Sequence, residues 1–273
     1  MHGKQTHRYI KEITLFPKLK KPYKIISLIG ARGGSKSIPN KNIVNLGGYP
    51  LIAYSVVASR LSSLIDETYV STDSSEISSI AQKYGAKVPF LRPSFLANDA
   101  STDFDFFEHF IQQLLANGKE QPDFIVHLRP TTPLREISVI NKAINSFLED
   151  DEATSLRSMH KSGTSPYKMF KMKNFLATPV FPSQEINSTN NSRQSFETTY
   201  DPNGYVDIVK TNNLAKFRCI HGPKIRIWQT DRVPDIDNEF DLKFANSIIK
   251  EKKFETLVKS LVNYGNISKR KLQ

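Results

Sequence analysis

The sequence has little cysteine and no long apolar run, and each absence excludes a class of protein. Cys219 is the single cysteine in 273 residues, which excludes an intramolecular disulfide and a cysteine-based zinc site and favours a reducing compartment. No stretch approaches the roughly 20 apolar residues that a membrane-spanning helix needs. Residues 1–21 contain no apolar run followed by small residues, so we expect no secretory signal, no membrane partner and a cytoplasmic location.

Acidic residues are scarce relative to basic ones. The chain has 38 Lys and Arg against 27 Asp and Glu, a net charge of +11, which favours polyanionic partners such as nucleotides or nucleic acid. Part of this excess lies in residues 1–22, interpreted as a basic extension, and in residues 256–273, interpreted as a basic tail. Residues 23–255 are long enough to form one domain with a substantial core.

Short apolar runs alternate with helical patterns along the first half of the chain. Predicted strands cover residues 24–31, 68–72, 87–91 and 124–128, and predicted helices cover residues 50–61, 75–84, 101–116 and 136–149. Strand patterns return at 204–209 and 225–228, before a helical pattern at 241–250. This alternation predicts an α/β fold, in which a largely parallel sheet is covered by helices on both faces.

The alternation is interrupted at residues 162–200, which are rich in Asn, Ser and Thr around an apolar patch at residues 175–181. This segment is either a flexible loop or an arm that packs on another subunit. An exposed apolar patch would be a liability on a monomer, so we expect an arm and a homodimer.

A glycine-rich stretch, GARGGSKSIPNKN at residues 30–42, follows the first predicted strand. Its glycines allow backbone N–H groups to approach an anion, and Arg32, Lys36 and Lys41 supply positive charge for phosphates. It matches neither the Walker A loop, because a serine replaces the second glycine, nor GxGxxG. Taken alone, it is either a phosphate-binding loop or a glycine-rich surface turn.

Polar segments also follow two other predicted strands. Residues 71–73 read Ser-Thr-Asp, and residues 128–135 carry two prolines, hydroxyl groups and two arginines. In open α/β sheets the carboxyl ends of the strands border the ligand crevice, although each segment alone could be an ordinary turn.

Two aspartates, Asp235 and Asp237, flank Ile236 near the end of the predicted domain. In an extended chain alternate side chains share a face, so both carboxylates would point to one side. Such a pair suits Mg²⁺, which proteins typically hold with one or two carboxylates plus substrate phosphates and water. A surface loop rich in aspartate is the alternative.

Taken in order, these segments resemble the acylneuraminate (CMP-sialic acid) cytidylyltransferase family. The matching elements span about residues 24 to 250: the loop of the form ARxGSKxxPxKN at 31–42, STD at 71–73, LRP with its following loop at 91–101, the PTSPLR-like element at 130–135, RQ and NG at 193–204, and DID at 235–237. Each motif is weak alone, and their common order makes the resemblance specific.

The resemblance implies a Rossmann-like nucleotide-diphospho-sugar transferase fold, with a mixed, mostly parallel sheet and a dimerisation arm at residues 162–200. It implies the following nucleotide-binding residues: Gly33, Gly34, Ser35, Lys41, Asn42, Arg92 and Ser101. It implies catalytic roles for Arg32, Lys36 and Asp237, the last as a candidate general base. It implies acceptor binding by Arg129, Thr131, Thr132, Arg193, Gln194 and Asn203. It implies Mg²⁺ as cofactor, held by Asp235 and Asp237.

The activity implied is transfer of CMP from CTP to the anomeric hydroxyl of a 2-keto sugar acid, with release of pyrophosphate. This chain departs from the family at Arg129, where sialic-acid enzymes usually carry glutamine, and after Gly204, where Tyr-Val-Asp-Ile replaces Ala-Ile-Tyr. The acceptor is therefore an N-acylneuraminate, a related nonulosonate or a Kdo-like acid. A nucleic-acid-binding protein is the alternative from another class, but the chain lacks a basic stripe interleaved with stacking aromatics.

Overall fold

The computed structural model describes residues 23–181 and 184–270, and the extension predicted for residues 1–22 lies outside them. In this part of the chain the strands are β1 Ile25–Gly30, β2 Asn45–Leu46, β3 Tyr49–Pro50, β4 Glu67–Ser71, β5 Phe124–His127, β6 Ser155–Lys161, β7 Phe170–Lys173, β8 Leu176–Pro179, β9 Tyr200–Lys210 and β10 Ile225–Gln229. The helices are α1 Leu51–Leu61, α2 Ser75–Lys83, α3 Asp103–Ala116, α4 Ile137–Leu148, α5 Asn213–Phe217, α6 Glu239–Ile248 and α7 Glu255–Arg270.

Six strands form one mixed sheet in the order β10-β6-β9-β5-β1-β4. Strand β9 runs antiparallel to its neighbours β5 and β6, whereas β1 is parallel to β4 and β5, and β10 is parallel to β6. The carboxyl ends of β4, β1 and β5 therefore meet at one edge of the sheet. The prediction of a mixed, mostly parallel sheet is confirmed, and this edge is where such sheets bind ligands.

Helices cover both faces of the sheet. On one face, the phenylalanines of α3 pack against Ile26 and Leu28 of β1. On the other face, α1, α2, α4 and α7 share a larger core with Ile25 and Ile29 of the same strand. Because successive side chains of β1 are buried on opposite faces, the strand has the continuous apolar sequence of a central parallel strand.

Helix α3 begins after a capping box. The Thr102 hydroxyl accepts a hydrogen bond from the Asp105 backbone N–H, and the Asp105 carboxylate accepts one from the Thr102 backbone N–H at 2.6 Å. These bonds satisfy two backbone groups that a helix N-terminus leaves without partners. The helix consequently starts at Asp103, two residues later than predicted, and places this aspartate in its first turn.

The strand predicted for residues 87–91 is wrong. In this segment only Lys87 pairs, through an isolated bridge to Tyr69 of β4. Pro89 has no backbone N–H to donate to a ladder, so the pairing does not continue past it. The chain instead runs alongside the end of β4, where the Arg92 N–H donates to the Thr72 carbonyl at 2.7 Å.

The segment interpreted as a basic tail contains helix α7, which packs on α1. Leu257 and Leu261 are buried on this helix, and Arg60 of α1 donates to the Tyr264 hydroxyl at 3.4 Å. The tail interpretation is therefore corrected as far as residue 270, because apolar residues at helical spacing bury one face despite the lysines around them. None of the helices in the described ranges is long and apolar enough to span a membrane.

The predicted arm, residues 162–200, contains the antiparallel hairpin β7–β8. Asn174 and Phe175 form its turn with φ values of 50° and 65°, the left-handed conformations of a two-residue hairpin turn. A left-handed conformation is unusual for a bulky residue, and Phe175 is also 96% exposed. Met172 and Leu176 are exposed on the same hairpin, so its tip is an apolar surface on the single chain.

Candidate active site

A pocket of about 390 Å³ opens where β1 and β5 end, and Gly30 and His127 line it. The predicted site residues that line this pocket are Arg32, Ser35, Lys36, Lys41, Asn42, Arg92, Ser101, Arg129 and Thr131. The structure therefore brings most of the predicted nucleotide-binding residues and part of the predicted acceptor-binding set around one cavity. Gly33, Gly34, Thr132, Arg193, Gln194, Asn203, Asp235 and Asp237 lie outside its lining.

The loop after β1 is fixed by hydrogen bonds at both ends. The Gly33 N–H donates to the Asp73 carboxylate at 2.7 Å, and the buried Asn42 amide donates to the Arg32 carbonyl at 2.9 Å. Gly34 adopts φ 64°, a left-handed conformation that glycine adopts without strain. Asp73, noted in the sequence for its position after a strand, thus holds the loop.

The three cations of this loop all contact carboxylates. Arg32 Nη2 lies 2.8 Å from Asp99 Oδ1, and Lys36 forms an ion pair with the other oxygen of Asp99. Lys41 Nζ lies 2.9 Å from Asp237 Oδ1, which connects this loop to the DID segment. The loop therefore presents its positive charge towards groups that a negatively charged ligand could replace.

Arg92 is buried at the pocket wall and holds the segment that follows β4. Its Nη2 donates to the Ser71 carbonyl at 2.7 Å, its Nε donates to the Ser71 hydroxyl at 3.1 Å, and its guanidinium lies 4.6 Å from the Phe106 ring centroid. Burial lowers the pKa of Arg92 to about 10, which leaves it charged at neutral pH. Ser101 follows in the same loop and reaches the pocket.

The loop after β5 contributes Arg129 to the pocket, and this arginine forms an ion pair with Asp103 at the start of α3. Both side chains line the pocket. The stem of Arg129 also passes close to Gly204, where an added Cβ would lie 2.7 Å from Arg129 Cδ. The glycine of the NG motif is thus required by the close approach of Arg129, as well as by its own φ of 64°.

The loop that follows β5, residues 128–135, is called the Arg129 loop. Hydrogen bonds join it to two distant segments. The Thr132 hydroxyl donates to the Asn203 carbonyl at 3.0 Å, and the Asn203 amide donates to the Thr230 hydroxyl at 2.7 Å. The Ile236 N–H donates to the Thr131 carbonyl at 2.7 Å. Thr132 and Asn203 therefore fix the Arg129 loop without lining the pocket themselves. The DID segment is fixed to the same loop through Ile236.

Arg135 is fully buried beneath this loop, and no carboxylate of residues 23–181 and 184–270 lies within ion-pair distance of it. Its guanidinium donates to the carbonyls of Tyr205 at 2.6 Å, Arg129 at 2.8 Å and Gly204 at 3.0 Å, and to the Ser55 hydroxyl at 2.8 Å. One side chain thus connects helix α1, the Arg129 loop and strand β9. The sequence analysis treated this arginine as part of a motif and gave it no role.

A row of polar side chains crosses the sheet beside the pocket: His127 pairs in register with Asp207, and Asp207 pairs with Arg157. Burial lowers the pKa of His127 to about 3, so its imidazole is neutral at physiological pH. Burial raises the pKa of Asp207 to about 6, although Arg157 Nε lies 3.6 Å from its Oδ2. Asp207 belongs to the Tyr-Val-Asp-Ile stretch that departs from the family.

Arg193 and Gln194 are exposed in the arm, and the structure of the single chain does not bring them to the pocket. Arg193 donates instead to the Ser162 carbonyl at the start of the arm. Their predicted role in acceptor binding would require a different placement of the arm or a second subunit.

The DID segment has the chemistry that a magnesium site needs. Asp235 and Asp237 are exposed and flank the buried Ile236, so their carboxylates share one face as the alternation predicts. No cluster of three or more metal-ligating His, Cys, Asp or Glu side chains occurs within residues 23–181 and 184–270. Two carboxylates are nevertheless sufficient for Mg²⁺ when a substrate supplies phosphate oxygens, so the residues fit the metal.

The fold and the pocket place a cationic loop at the carboxyl edge of a mixed sheet, an arrangement suited to a nucleotidyltransferase. The sequence profile of the cytidylyltransferase family matches residues 26–221, and the chain belongs to this family.

Three relatives resemble the chain over most of its length. A CMP-N,N'-diacetyllegionaminic acid synthase from Campylobacter jejuni is 32% identical over 84% of this chain and 96% of the relative. The post-translational flagellin modification protein B of Campylobacter coli is 31% identical over 85% of this chain and 97% of the relative. An N-acylneuraminate cytidylyltransferase of Escherichia coli is 29% identical over 84% of this chain and 53% of its own length.

Solved structures confirm the fold. A CMP:2-keto-3-deoxy-manno-octonic acid synthetase in complex with CTP has a TM-score of 0.62 at 14% identity, with 84% of this chain and 99% of that chain covered. A 4-diphosphocytidyl-2C-methyl-D-erythritol synthase from Anaerococcus prevotii has a TM-score of 0.57 at 12% identity, with coverage of 85% and 100%.

Sequence reasoning assigned no role to four pocket or support residues: Asp99, Asp103, Arg135 and Asp207. Asp99 lies within a matched motif, and Arg135 ends another, so their positions carried a signal without a chemical interpretation. Apart from the Arg129 carbonyl, which lies six positions before Arg135, the partners of these residues are 26 or more positions away. Such pairings appear only when the chain is folded.

Proposed function

We propose that this enzyme transfers CMP from CTP to the anomeric hydroxyl of a 2-keto sugar acid, an N-acylneuraminate or related nonulosonate, and releases pyrophosphate. The observation that carries the proposal is a pocket lined both by Arg32 and Lys36, on the loop after β1, and by Arg129, on the loop after β5. We call the first loop the nucleotide wall and the second the acceptor wall. Two anionic substrates could meet there, each beside its own cations. The names of the relatives, which include legionaminic acid and acylneuraminate enzymes, support the choice of acceptor.

Charge dominates the chemistry of this transfer. The sugar hydroxyl must attack the α-phosphorus of CTP, and both reactants are anions, so their approach requires screening by cations and a fixed in-line arrangement. Arg32 and Lys36 are assigned to the triphosphate, with Ser35 and Lys41 beside them. Asn42, Arg92 and Ser101 line the same pocket and are assigned to cytidine, as the family resemblance implies.

Arg129 is assigned to the carboxylate of the sugar acid, and Thr131 to its hydroxyl groups, since both line the acceptor wall. Thr132 and Asn203 hold that wall in place through their hydrogen bonds. A guanidinium binds any carboxylate at this position, so a Kdo-like acid stays the alternative acceptor. The cytoplasmic location expected from the sequence is part of the same proposal.

Asp235 and Asp237 are the residues that would hold Mg²⁺. The bound ion would neutralise charge on the departing pyrophosphate. Asp237 is also the candidate general base, which would accept the proton of the anomeric hydroxyl. Its ion pair with Lys41 keeps the carboxylate beside the phosphate-binding loop in the structure described here.

The proposal is tested by pyrophosphate release from each of the four nucleoside triphosphates against a panel of 2-keto sugar acids. We expect release with CTP and a nonulosonate, and little release with ATP, GTP or UTP. A panel that includes Kdo separates the two acceptor classes. Release that is independent of any sugar acid, or equal for all four nucleotides, would contradict the proposal.

A homodimer formed through the arm is the second part of the proposal, supported by the apolar hairpin tip. Phe175→Gly offers a clean test, because Asn-Gly is favoured in a two-residue hairpin turn and glycine relieves the left-handed strain. We expect the wild-type enzyme to sediment as a dimer at micromolar concentration. The variant should dissociate at a higher protein concentration than the wild type, with an unchanged melting temperature. A fully active wild-type monomer would exclude this role of the arm.

A further inference from the structure

Asp99 contacts both of the loop cations assigned to the triphosphate. Its Oδ1 lies 2.8 Å from Arg32 Nη2, and its Oδ2 is paired with Lys36 Nζ. Hydrogen bonds from Lys36 and Arg32 hold the pKa of Asp99 below its usual range, so the carboxylate is charged at neutral pH. One carboxylate therefore bridges the two side chains that a phosphate chain would have to reach.

The backbone around Asp99 is fixed before any ligand binds. The Asn98 carboxamide oxygen accepts hydrogen bonds from the N–H groups of Ala100 at 2.9 Å and Ser101 at 3.0 Å. Arg92 anchors the start of the same loop to the end of β4. Asp99 thus lies on a turn that is already formed. Its contact with the two cations does not require the loop to change conformation when a substrate binds.

The contact is also easily exchanged. The side chain of Asp99 is 48% exposed and that of Lys36 is 81% exposed. Ion pairs in such surroundings contribute little free energy, because water solvates both partners when they separate. A ligand that carries several negative charges could therefore replace Asp99 on Arg32 and Lys36 at small cost.

We infer that Asp99 competes with phosphate oxygens for Arg32 and Lys36 and thereby sets how tightly these two cations bind a phosphate chain. This inference rests on the proposed function, because it assumes that these cations bind the triphosphate. A ligand would be retained only if it attracted the two cations more strongly than one carboxylate does. Asp99 would also return to the cations as pyrophosphate leaves, and so limit inhibition by this product.

The test is a calorimetric titration of CTP, and separately of pyrophosphate, into the wild type and Asp99→Asn in buffer with EDTA. Asparagine keeps the shape of the side chain and removes its charge. We expect both ligands to bind the variant about 3- to 10-fold more tightly, with a smaller difference at high salt. Glu152→Gln, which removes the charge of another surface ion pair, with Lys224, is the matched control and should leave both affinities unchanged.

A double-mutant cycle with Lys36→Ala separates competition from general repulsion. If Asp99 acts by occupying Lys36, the gain from Asp99→Asn should shrink when Lys36 is absent. A gain of the same size in both backgrounds would show that Asp99 merely repels the ligand through space, and would overturn the inference. Unchanged or weaker binding of CTP to Asp99→Asn would overturn it as well, whereas failure of the wild type to bind CTP both in EDTA and with Mg²⁺ would contradict the proposed function itself.

Discussion

The two walls of the pocket are built in different ways. On the nucleotide wall, Arg32, Lys36 and Lys41 form ion pairs with Asp99 and Asp237, whose side chains are about half exposed or more. On the acceptor wall, the support is a buried arginine that donates to three carbonyls and a hydroxyl. The first arrangement is replaceable by a ligand, and the second is part of the fold.

The physical difference lies in desolvation. Exposed ion pairs contribute between about 0 and 1 kcal/mol, so exchanging one for a phosphate costs little. A buried cation without hydrogen bonds would cost several kcal/mol, so Arg135 and its acceptors must stay together in every state of the folded enzyme. We therefore expect substitutions on the nucleotide wall to change ligand binding, and substitutions beneath the acceptor wall to change stability first.

The largest effect is expected for Arg135→Met. It removes the guanidinium donor from the Tyr205 and Gly204 carbonyls and the Ser55 hydroxyl, and one of two donors from the Arg129 carbonyl, so the free energy of unfolding should fall by about 3–5 kcal/mol. Urea denaturation measures this change.

Ser55→Ala is the milder variant, which removes one Arg135 partner and the hydroxyl that donates to the Arg129 carbonyl at 3.1 Å. We expect it to raise the KM for the sugar acid while the affinity for CTP stays unchanged. If both substrates were affected equally, the acceptor wall would not be a separate unit.

Lys36→Ala tests the nucleotide wall. Loss of one phosphate contact should remove about 2–4 kcal/mol of transition-state stabilisation, a factor of roughly 30 to 1000 in kcat/KM. The free energy of unfolding should hardly change, because the side chain is exposed. Lys119→Ala, a surface lysine outside the pocket lining, is the control in the same assay. A Lys36→Ala enzyme with most of its activity at saturating CTP would contradict the assignment.

The metal assignment predicts the next effect. Asp235→Asn and Asp237→Asn should each lower activity about 10- to 100-fold without lowering the melting temperature, because both side chains are exposed. Excess Mg²⁺ should rescue Asp235→Asn better, since Asp237→Asn also loses the candidate base. Calorimetric titration of Mg²⁺ with CTP bound should show weaker metal binding by both variants. Wild-type-like activity of both variants, or full wild-type activity in excess EDTA, would remove the metal from the mechanism.

The smallest effect is a pH dependence at Asp207. Because the folded pKa of Asp207, about 6, lies above its usual value, the folded state holds this proton between about pH 4 and pH 6 when the unfolded state has lost it. The stability contributed by the protonated form is complete below pH 4 and is lost as the pH rises through 6. The side chain of Asp207→Asn has no such proton to lose. The free energy of unfolding of the variant, relative to that of the wild type, should therefore rise by about 1–3 kcal/mol from pH 4 to pH 7.5. A difference that does not vary with pH would contradict the raised pKa.

Local features of the sequence were sufficient for the parts of the site that one segment forms alone. Residues 30–42 follow a buried strand directly, so both the strand and the cationic loop were predictable, and the family resemblance extended this to Arg92 and Ser101. Burial of Arg135 was not predictable, because an arginine in a polar loop is ordinarily solvated. Its partners come from α1 and β9, whose positions depend on the whole sheet.

Two predictions of local structure were wrong because one feature of each segment was given too little weight. Residues 87–91 are apolar enough for a strand, but one proline prevents the ladder. Lysines and an arginine lie before, within and after residues 255–270, but leucines at helical spacing bury one face of α7 despite this charge. The ion pairs of Arg129 with Asp103 and of Arg32 with Asp99 could not be predicted from the sequence, because their partners meet only in the folded chain.

The central claim, transfer of CMP to a sugar acid, is tested most directly by ³¹P NMR of the enzyme with CTP, Mg²⁺ and a nonulosonate. The account predicts that the three CTP resonances decline together while pyrophosphate and one phosphodiester resonance rise in equal amounts. The Lys36→Ala enzyme should show the same products at a much lower rate. Persistence of CTP with every sugar acid, or its conversion to CDP and inorganic phosphate, would contradict the account.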